Sequence, residues 1–312
     1  MSECTQTGKK VQILLSTYNG EAFLREQLES YLKLEGFENC CVLIRDDGST
    51  DDTRQILKEY ADQYGFQVEY GTNLGTTKSY EWLIRHSDSA CDFFALSDQD
   101  DVWLSNKISV AASCMEGIPA QIPILFASRS CITDRDLHPT GYSALPERGI
   151  SFYNAMVQNV LPGHTQVFNR ALRDLLSERG LVGAHVVDWW IYLAAAAVGK
   201  VVYSDLPTVL HRQHGDNSVG YGLGVLQSFH KKIRYIAQGK GNAISLQLNA
   251  FLQKYGDLLP EEYRSELEHY LCGLQGVRQR FRYLRHGRIF RQKIMEDKLF
   301  SILYLLGKYN IN

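Results

Sequence analysis

No stretch of the 312 residues approaches the ~18 consecutive apolar residues that a membrane-crossing helix needs, and no N-terminal apolar run resembles a signal peptide. Those two absences imply a chain made and kept in the cytosol. The seven cysteines are odd in number, form no C-x-x-C pair and mostly sit inside apolar runs, so they read as reduced core residues and neither disulfides nor zinc ligands. There is no G-x-G-x-x-G and no Walker A motif, which disfavours dinucleotide and P-loop nucleotide binding. Nor does an acidic loop fit an EF-hand: with Asp47 as its first position, Asp52 stands where glycine is needed and Lys58 where glutamate is needed.

What is present is an ordinary globular balance, 45% hydrophobic and 22% charged, enough for one large domain with an extension or for two domains. The pattern changes near residue 228, giving an expected division into 1–227 and 228–312. Charge is uneven across the chain. Residues 1–228 carry 18 basic and 28 acidic side chains (net −10) and residues 229–312 carry 15 and 7 (net +8), against −2 overall, so two surfaces with different partners are expected.

The first hundred residues repeat one unit. Val11 to Leu15 reads as a strand, Ser16-Thr17-Tyr18-Asn19-Gly20 as a loop, and Phe23, Leu24, Leu28, Tyr31 and Leu32 recur at helical spacing. Cys41 to Ile44, then Arg45-Asp46-Asp47-Gly48-Ser49-Thr50, then a helix to Tyr64 repeat the pattern, with Ser49 to Asp52 fitting a capping box. Val68 to Tyr70 leads through Thr72-Asn73-Leu74-Gly75 to a helix over 77–86. The alternation predicts an α/β fold with a mostly parallel sheet, and Asp46 and Asp47 fall at a strand's carboxyl end, where such sheets bind ligands. The strand Phe93 to Leu96 then delivers Ser97-Asp98-Gln99-Asp100-Asp101-Val102-Trp103, three carboxylates with no cation before Lys107. Ionised together they repel unless a cation joins them, and hard oxygen donors suit Mg2+ or Mn2+; an acidic turn capping the following helix is the other reading.

Further on, Ile124 to Thr133 is β-rich, and 134–149 looks like an exposed connection. Asp188 stands alone in Val186-Val187-Asp188-Trp189-Trp190-Ile191, either a desolvated proton acceptor or the cap of the next helix. His211, Arg212 and His214 offer cationic or metal-binding groups on a glycine-containing loop, although a lone histidine is more often structural. From 278 to 293, Arg278, Arg280, Arg282, Arg285, Arg288, Arg291 and Lys293 occur with no acid among them, interleaved with Phe281, Tyr283, Leu284, Ile289 and Phe290. Nucleic acid, a solvated helical face and an anionic membrane surface all fit such a stripe.

In order along residues 10–220, Ser16-Thr17-Tyr18-Asn19-Gly20, Arg45-Asp46-Asp47-Gly48-Ser49, Asn73-Leu74-Gly75, the acidic motif, Gly163-His164-Thr165, Asp188-Trp189-Trp190 and Arg212-Gln213-His214-Gly215-Asp216-Asn217 resemble a family 2 glycosyltransferase of the GT-A fold. The Gln and Val-Trp of the acidic motif and the Arg-Gln-His loop look most like the bacterial rhamnosyltransferase branch. The resemblance implies a GT-A nucleotide-sugar-binding catalytic domain over 1–227 followed by a helical basic region over 228–312. It implies that Ser16, Tyr18 and Asp47 hold the nucleoside, with Lys78 and Arg212 joining the donor-binding set. Asp98 and Asp100 match the D-x-D pair for ribose and metal, Asp101 shares ligation, and His214 reaches the diphosphate or the metal. Asp188 matches the catalytic base; family members often have two acids where this chain has Val187-Asp188, which leaves one candidate.

The activity implied by this resemblance is an inverting, metal-dependent transfer of a sugar, L-rhamnose from dTDP-L-rhamnose by best match, to a lipid-linked or polysaccharide acceptor in bacterial cell-surface glycan synthesis. Another donor such as a UDP-hexose, or a non-catalytic nucleotide- or carbohydrate-binding module, is the alternative; a sugar-nucleotide pyrophosphorylase lacks its glycine-rich phosphate loop here. The expected partners are a dTDP- or UDP-sugar, a glycan acceptor and the anionic inner face of the cell membrane, with no nucleic acid. A homo-oligomer is compatible with the sequence.

Overall fold

A computed structural model describes residues 8–214 and 240–311. By contact the described residues fall into two compact units: 8–145, 161–181 and 199–214 in the first, and 146–160, 182–198 and 240–311 in the second. The division expected after 227 lies outside the described residues. The second unit also takes in two earlier stretches, one of which carries Asp188.

The first unit is built on one sheet. Strands β1 (Val11–Thr17), β2 (Cys40–Asp46), β3 (Gln67–Tyr70) and β4 (Phe93–Ser97) run parallel in the order β3-β2-β1-β4. Helices α1 (Leu24–Leu32), α2 (Thr53–Tyr64) and α3 (Thr76–His86) connect them. β1 and β4 are buried almost end to end, so they read as continuous apolar runs and not as alternation, which is the mark of a sheet covered on both faces. Leu28 and Tyr31 of α1 and Ile56, Leu57 and Tyr60 of α2 pack with Ile13, Leu15 and Ile44 in one core.

Beyond β4 the sheet mixes its directions. Short β5 (Val102–Trp103) and helix α4 (Lys107–Met115) precede the long β6 (Ile124–Thr133), and β7 (Pro139–Tyr142) lies inside the stretch expected to be irregular. β8 (Val167–Asn169) pairs antiparallel with both β4 and β6, and leads into α6 (Arg170–Arg179), capped by the Asn169 side chain on the Leu172 amide. α5 (Phe152–Ala155) and α7 (Val187–Val198) belong to the second unit. β9 (Lys200–Arg212) runs parallel to β6, with a register break where Pro207, which has no N–H to give, faces Arg129. The end of β9 also pairs with β5, Val102 opposite Leu210.

In the second unit, α7 joins α8 (Ala243–Tyr255), α9 (Glu261–Gly273), α10 (Val277–His286) and α11 (Ile294–Leu305). Aromatic rings make its core: Trp190 lies against Phe251 and Tyr255, and Tyr270, Tyr283 and Tyr304 pack mutually at 5.1–5.6 Å. Among the described residues no helix is long and apolar enough to cross a membrane.

The capping box expected at Ser49 does not form. Asp52 is the N-cap of α2 with no side-chain cap bond, while Ser49 donates its hydroxyl to Asp46 and accepts the Asn19 amide at 2.9 Å. Gly48 is what lets the chain turn there, with φ +90° and the Asn73 amide nitrogen only 3.0 Å from where a Cβ would stand. Gly48→Ala should therefore destabilise the first unit by about 1–2 kcal/mol in urea unfolding, from left-handed strain and a clash with backbone. An unchanged midpoint would contradict this account of the turn.

Candidate active site

Register decides which loops meet. Thr17 pairs with Asp46 and Leu15 with Ser97, so the loops after β1, β2 and β4 leave the sheet on one edge; Thr133 pairs with Arg212, which brings the end of β9 alongside. The first and third loops are joined directly. The Tyr18 amide donates to Gln99 Oε1 at 2.8 Å, and Gln99 Nε2 returns a bond to the Tyr18 carbonyl at 3.0 Å. A Cβ on Gly20 would meet the same Gln99 side chain at 2.5 Å, which accounts for glycine in that position.

Around the expected nucleoside pocket, Ser16 Oγ lies 2.7 Å from Ser79 Oγ, and Arg45 donates to Ser79 at 3.2 Å and pairs with Asp47. Asp47 also accepts the Leu74 and Gly75 amides, each at 2.8 Å. That explains Asn73-Leu74-Gly75: these residues supply the backbone donors that hold Asp47. Of the carboxylate's acceptor positions, one on Oδ2 remains. Asp46, by contrast, is buried on Arg54, Ser49 and Thr17 and is structural. Lys78 is exposed in the first turn of α3, and Tyr18 is 47% exposed.

The three carboxylates of the acidic loop occupy different depths. The Asp98 side chain is 44% exposed, that of Asp100 22% and that of Asp101 0%. Tyr80 donates its hydroxyl to Asp98 at 3.1 Å. His214 Nε2 stands 2.9 Å from Asp100 Oδ2. Asp101 Oδ1 accepts from His211 Nδ1 at 2.8 Å and from the Arg212 amide at 3.2 Å. His214, expected near metal or diphosphate, is thus brought to the acidic motif from more than a hundred residues away. Arg212, expected to grip a diphosphate, is buried with its guanidinium on protein acceptors: Nε on the Asp100 carbonyl at 3.1 Å, Nη1 on the Arg135 carbonyl and Nη2 on Glu26 at 2.5 Å.

Electrostatics follow from that crowding. Burial pushes the Asp100 carboxyl above its ordinary value, and the charges of Asp101 and Asp98 add to the rise. Burial would lower His211, but its bond to Asp101 and the three carboxylate charges outweigh it, so His211 is held above the usual imidazole value. Asp98 goes the other way, since its desolvation is outweighed by His164, His211 and Tyr80, which hold its carboxyl below the ordinary value. A crowded Asp100 that resists ionisation, beside the His214 imidazole, fits a divalent cation, which would relieve the repulsion. Asp98, Asp100 and His214 present the outer donors for one, and Asp101, His164 and His211 form a second, fully buried group able to hold an ion.

Sequence reasoning gave no role to His164, Tyr80 or Lys107. The signal for His164 was its place in a Gly-His-Thr turn leading straight into a buried strand. Lys107 is wholly buried, donating to the His164 carbonyl at 2.8 Å and lying 4.5 Å from the Trp103 ring centroid.

Asp188 lies in the second unit, half-buried in the first turn of α7, with the Trp189 amide 2.7 Å from its Oδ1. Its neighbours anchor the helix: Trp189 Nε1 donates to the Ala155 carbonyl at 2.6 Å, and Tyr192 donates to the Ser151 carbonyl at 3.2 Å. Trp190 is fully buried.

Solved structures share this architecture. S. aureus TarS in complex with UDP superposes with a TM-score of 0.55 at 17% identity, over 83% of this chain and 86% of that one, and the fold is that of the GT-A glycosyltransferases. The chain belongs to glycosyl transferase family 2, whose family model matches residues 12–176. Among curated relatives, the dTDP-rhamnosyl transferase RfbG of Shigella flexneri is 27% identical over 225 residues, 67% of this chain and 74% of its own length. The UDP-Glc:alpha-D-GlcNAc-diphosphoundecaprenol beta-1,3-glucosyltransferase WfgD of Escherichia coli is 25% identical over 187 residues, 59% of this chain and 68% of its own.

Burial holds the Lys107 ammonium down to about 7 from the ordinary 10.5. Between those values the unfolded chain binds the proton that the folded one releases, so the destabilisation from burying this lysine is full below pH 7 and fades as pH rises. The stability of the wild type relative to Lys107→Met, measured by urea unfolding, should therefore rise from pH 7 to about 9.5. A difference that stays flat with pH would contradict the depressed value.

Proposed function

We propose that this glycosyltransferase moves L-rhamnose from dTDP-L-rhamnose, with inversion, to a hydroxyl of a lipid-linked or polysaccharide acceptor in bacterial cell-surface glycan synthesis. The observation that carries the reading is the pairing of the Asp98–Asp100 motif with His214, an anionic donor cluster on the loop edge of the sheet. Rhamnose as the donor sugar rests on the likeness to RfbG and on the form of the acidic motif; the likeness to WfgD supports a lipid-linked acceptor and keeps a UDP-hexose as the second reading.

Asp47, with its one remaining acceptor position, takes the ring N–H of the pyrimidine, beside Ser16 and the exposed Tyr18. Asp98, Asp100 and His214 hold Mn2+ or Mg2+. When bound, that ion stabilises the charge that develops on the departing diphosphate, by several kcal/mol. Lys78 offers a mobile cation to the same phosphates. Arg212 acts through others, holding the Asp100 carbonyl and so the motif's shape.

Asp188 is the base. It accepts the acceptor's hydroxyl proton as the oxygen bonds to the sugar's anomeric carbon, while the bond from that carbon to the diphosphate oxygen breaks and its electrons leave with the nucleotide. Asp188→Asn keeps size but loses proton affinity, so transfer should fall by roughly 100-fold or more while donor affinity stays near normal. A donor panel of dTDP-, UDP- and GDP-sugars assayed by transfer tests donor choice, and substantial turnover by Asp188→Asn would point to another base.

The basic segment we place on the inner membrane surface, where a lipid-linked acceptor would lie. Of the expected stripe, Arg280 is buried on Asn310, Tyr283 is in the aromatic core, and Arg288 pairs with Glu262. The exposed face of α10 is Val277, Arg278, Phe281, Arg282 and Arg285, apolar and basic side chains together, each nearby cation worth about 1 kcal/mol on an anionic surface. Arg278, Arg282 and Arg285 changed together to Gln should abolish salt-sensitive sedimentation with anionic vesicles. Retained salt-sensitive binding would contradict the membrane reading of this face.

A further inference from the structure

The Gly163-His164-Thr165 turn has no part in the transfer chemistry above, yet it sets a buried imidazole against two carboxylates. His164 is 4% exposed, and Ser130 Oγ lies 2.9 Å from its Nε2. Its other nitrogen, Nδ1, faces Asp98 Oδ2 at 3.7 Å and Asp101 Oδ2 at 3.6 Å. Both separations are too long for hydrogen bonds. Asp101 Oδ2 is buried with no hydrogen-bond partner, although an orphaned buried acceptor costs about 1–3 kcal/mol. With its proton on Nε2, in the bond to Ser130, His164 sets the Nδ1 lone pair beside the unpartnered Asp101 Oδ2, a nitrogen and an oxygen donor placed to share one cation.

Two ligand atoms on one ion with bonds of about 2.1 Å stand roughly 3.0–3.4 Å apart, so a contraction of a few tenths of an ångström would seat one here. The His211 ring stacks on His164 with centroids 4.3 Å apart, and ligand atoms of Asp101, His164 and His211 all fall within 4.8 Å of one another. Ser130 on His164 Nε2 and the Arg212 amide on Asp101 Oδ1 are the outer contacts that orient ligands around a bound metal.

We propose that Asp101, His164 and His211 form a buried site for a zinc-class transition-metal ion, distinct from the Asp100–His214 donors and independent of the donor-side ion. Two imidazoles with one carboxylate suit Zn2+ over Mg2+. The ion's place is structural: it joins the acidic loop, the turn before β8 and the end of β9, and so fixes the backbone from which His214 extends.

The test uses untagged full-length protein, stripped by chelator, loaded with Zn2+, desalted and assayed by plasma mass spectrometry. Close to one zinc per chain should remain in the wild type and in Asp100→Asn, falling at least ten-fold in the double variant His164→Gln with His211→Gln. Wild-type protein that retains no zinc, or zinc lost in Asp100→Asn but kept in the double variant, overturns the proposal. Because the double variant can misfold, zinc-edge X-ray absorption on the wild type gives a second reading: two imidazole ligands per zinc are expected, and one or none overturns the site. Mn2+-dependent nucleotide binding, read separately, decides the donor-side ion.

Discussion

Repulsion among Asp98, Asp100 and Asp101 is the constraint that the first unit is arranged around. Three carboxylates within four residues cannot all be tolerated in a partly buried loop without cations, and the chain brings them from far away in sequence. His214 reaches Asp100, and His211 and the Arg212 amide reach Asp101, while buried Lys107 holds the carbonyl of His164. These contacts fix the end of β9 against the acidic loop. Long-range pairing of β9 with β6 and β5 is what makes them available, so the sheet and the site are not separable pieces.

Much of this was legible in the chain. The strand–loop–helix alternation gave the sheet and the edge on which its loops converge, because apolar runs such as Ile13–Leu15 are long enough only for buried strands. The acidic motif was legible because nothing local neutralises it. Less legible were the contacts that depend on depth. Arg212 reads as a phosphate-gripping cation, but burial turns its guanidinium toward the Asp100 and Arg135 carbonyls and Glu26. Ser49 reads as a helix cap, but Asp46 and Asn19 compete for its hydroxyl and win. Asn73-Leu74-Gly75 showed no chemistry at all in sequence, since its contribution is two backbone amides on Asp47.

The same lesson holds in the second unit. A run of arginines looks uniform along the sequence, yet the helical period sends Arg280 inward to Asn310 and leaves Arg278, Arg282 and Arg285 on the outside. Aromatic residues that look available for a lipid surface divide likewise: Tyr283 donates to Glu266 within the core, and Phe281 alone of the α10 pair stays exposed. Trp189 and Trp190 in turn anchor α7, leaving Asp188 half-buried in its first turn.

The central claim is that the acidic loop binds a nucleoside diphosphate through a divalent cation. Calorimetry of dTDP and UDP against the protein, with and without Mn2+, tests it most directly, with Asp100→Asn as the control. The account predicts binding that requires the cation in the wild type and is lost in the variant. Nucleotide affinity that is the same with and without Mn2+, or unchanged by Asp100→Asn, would contradict it.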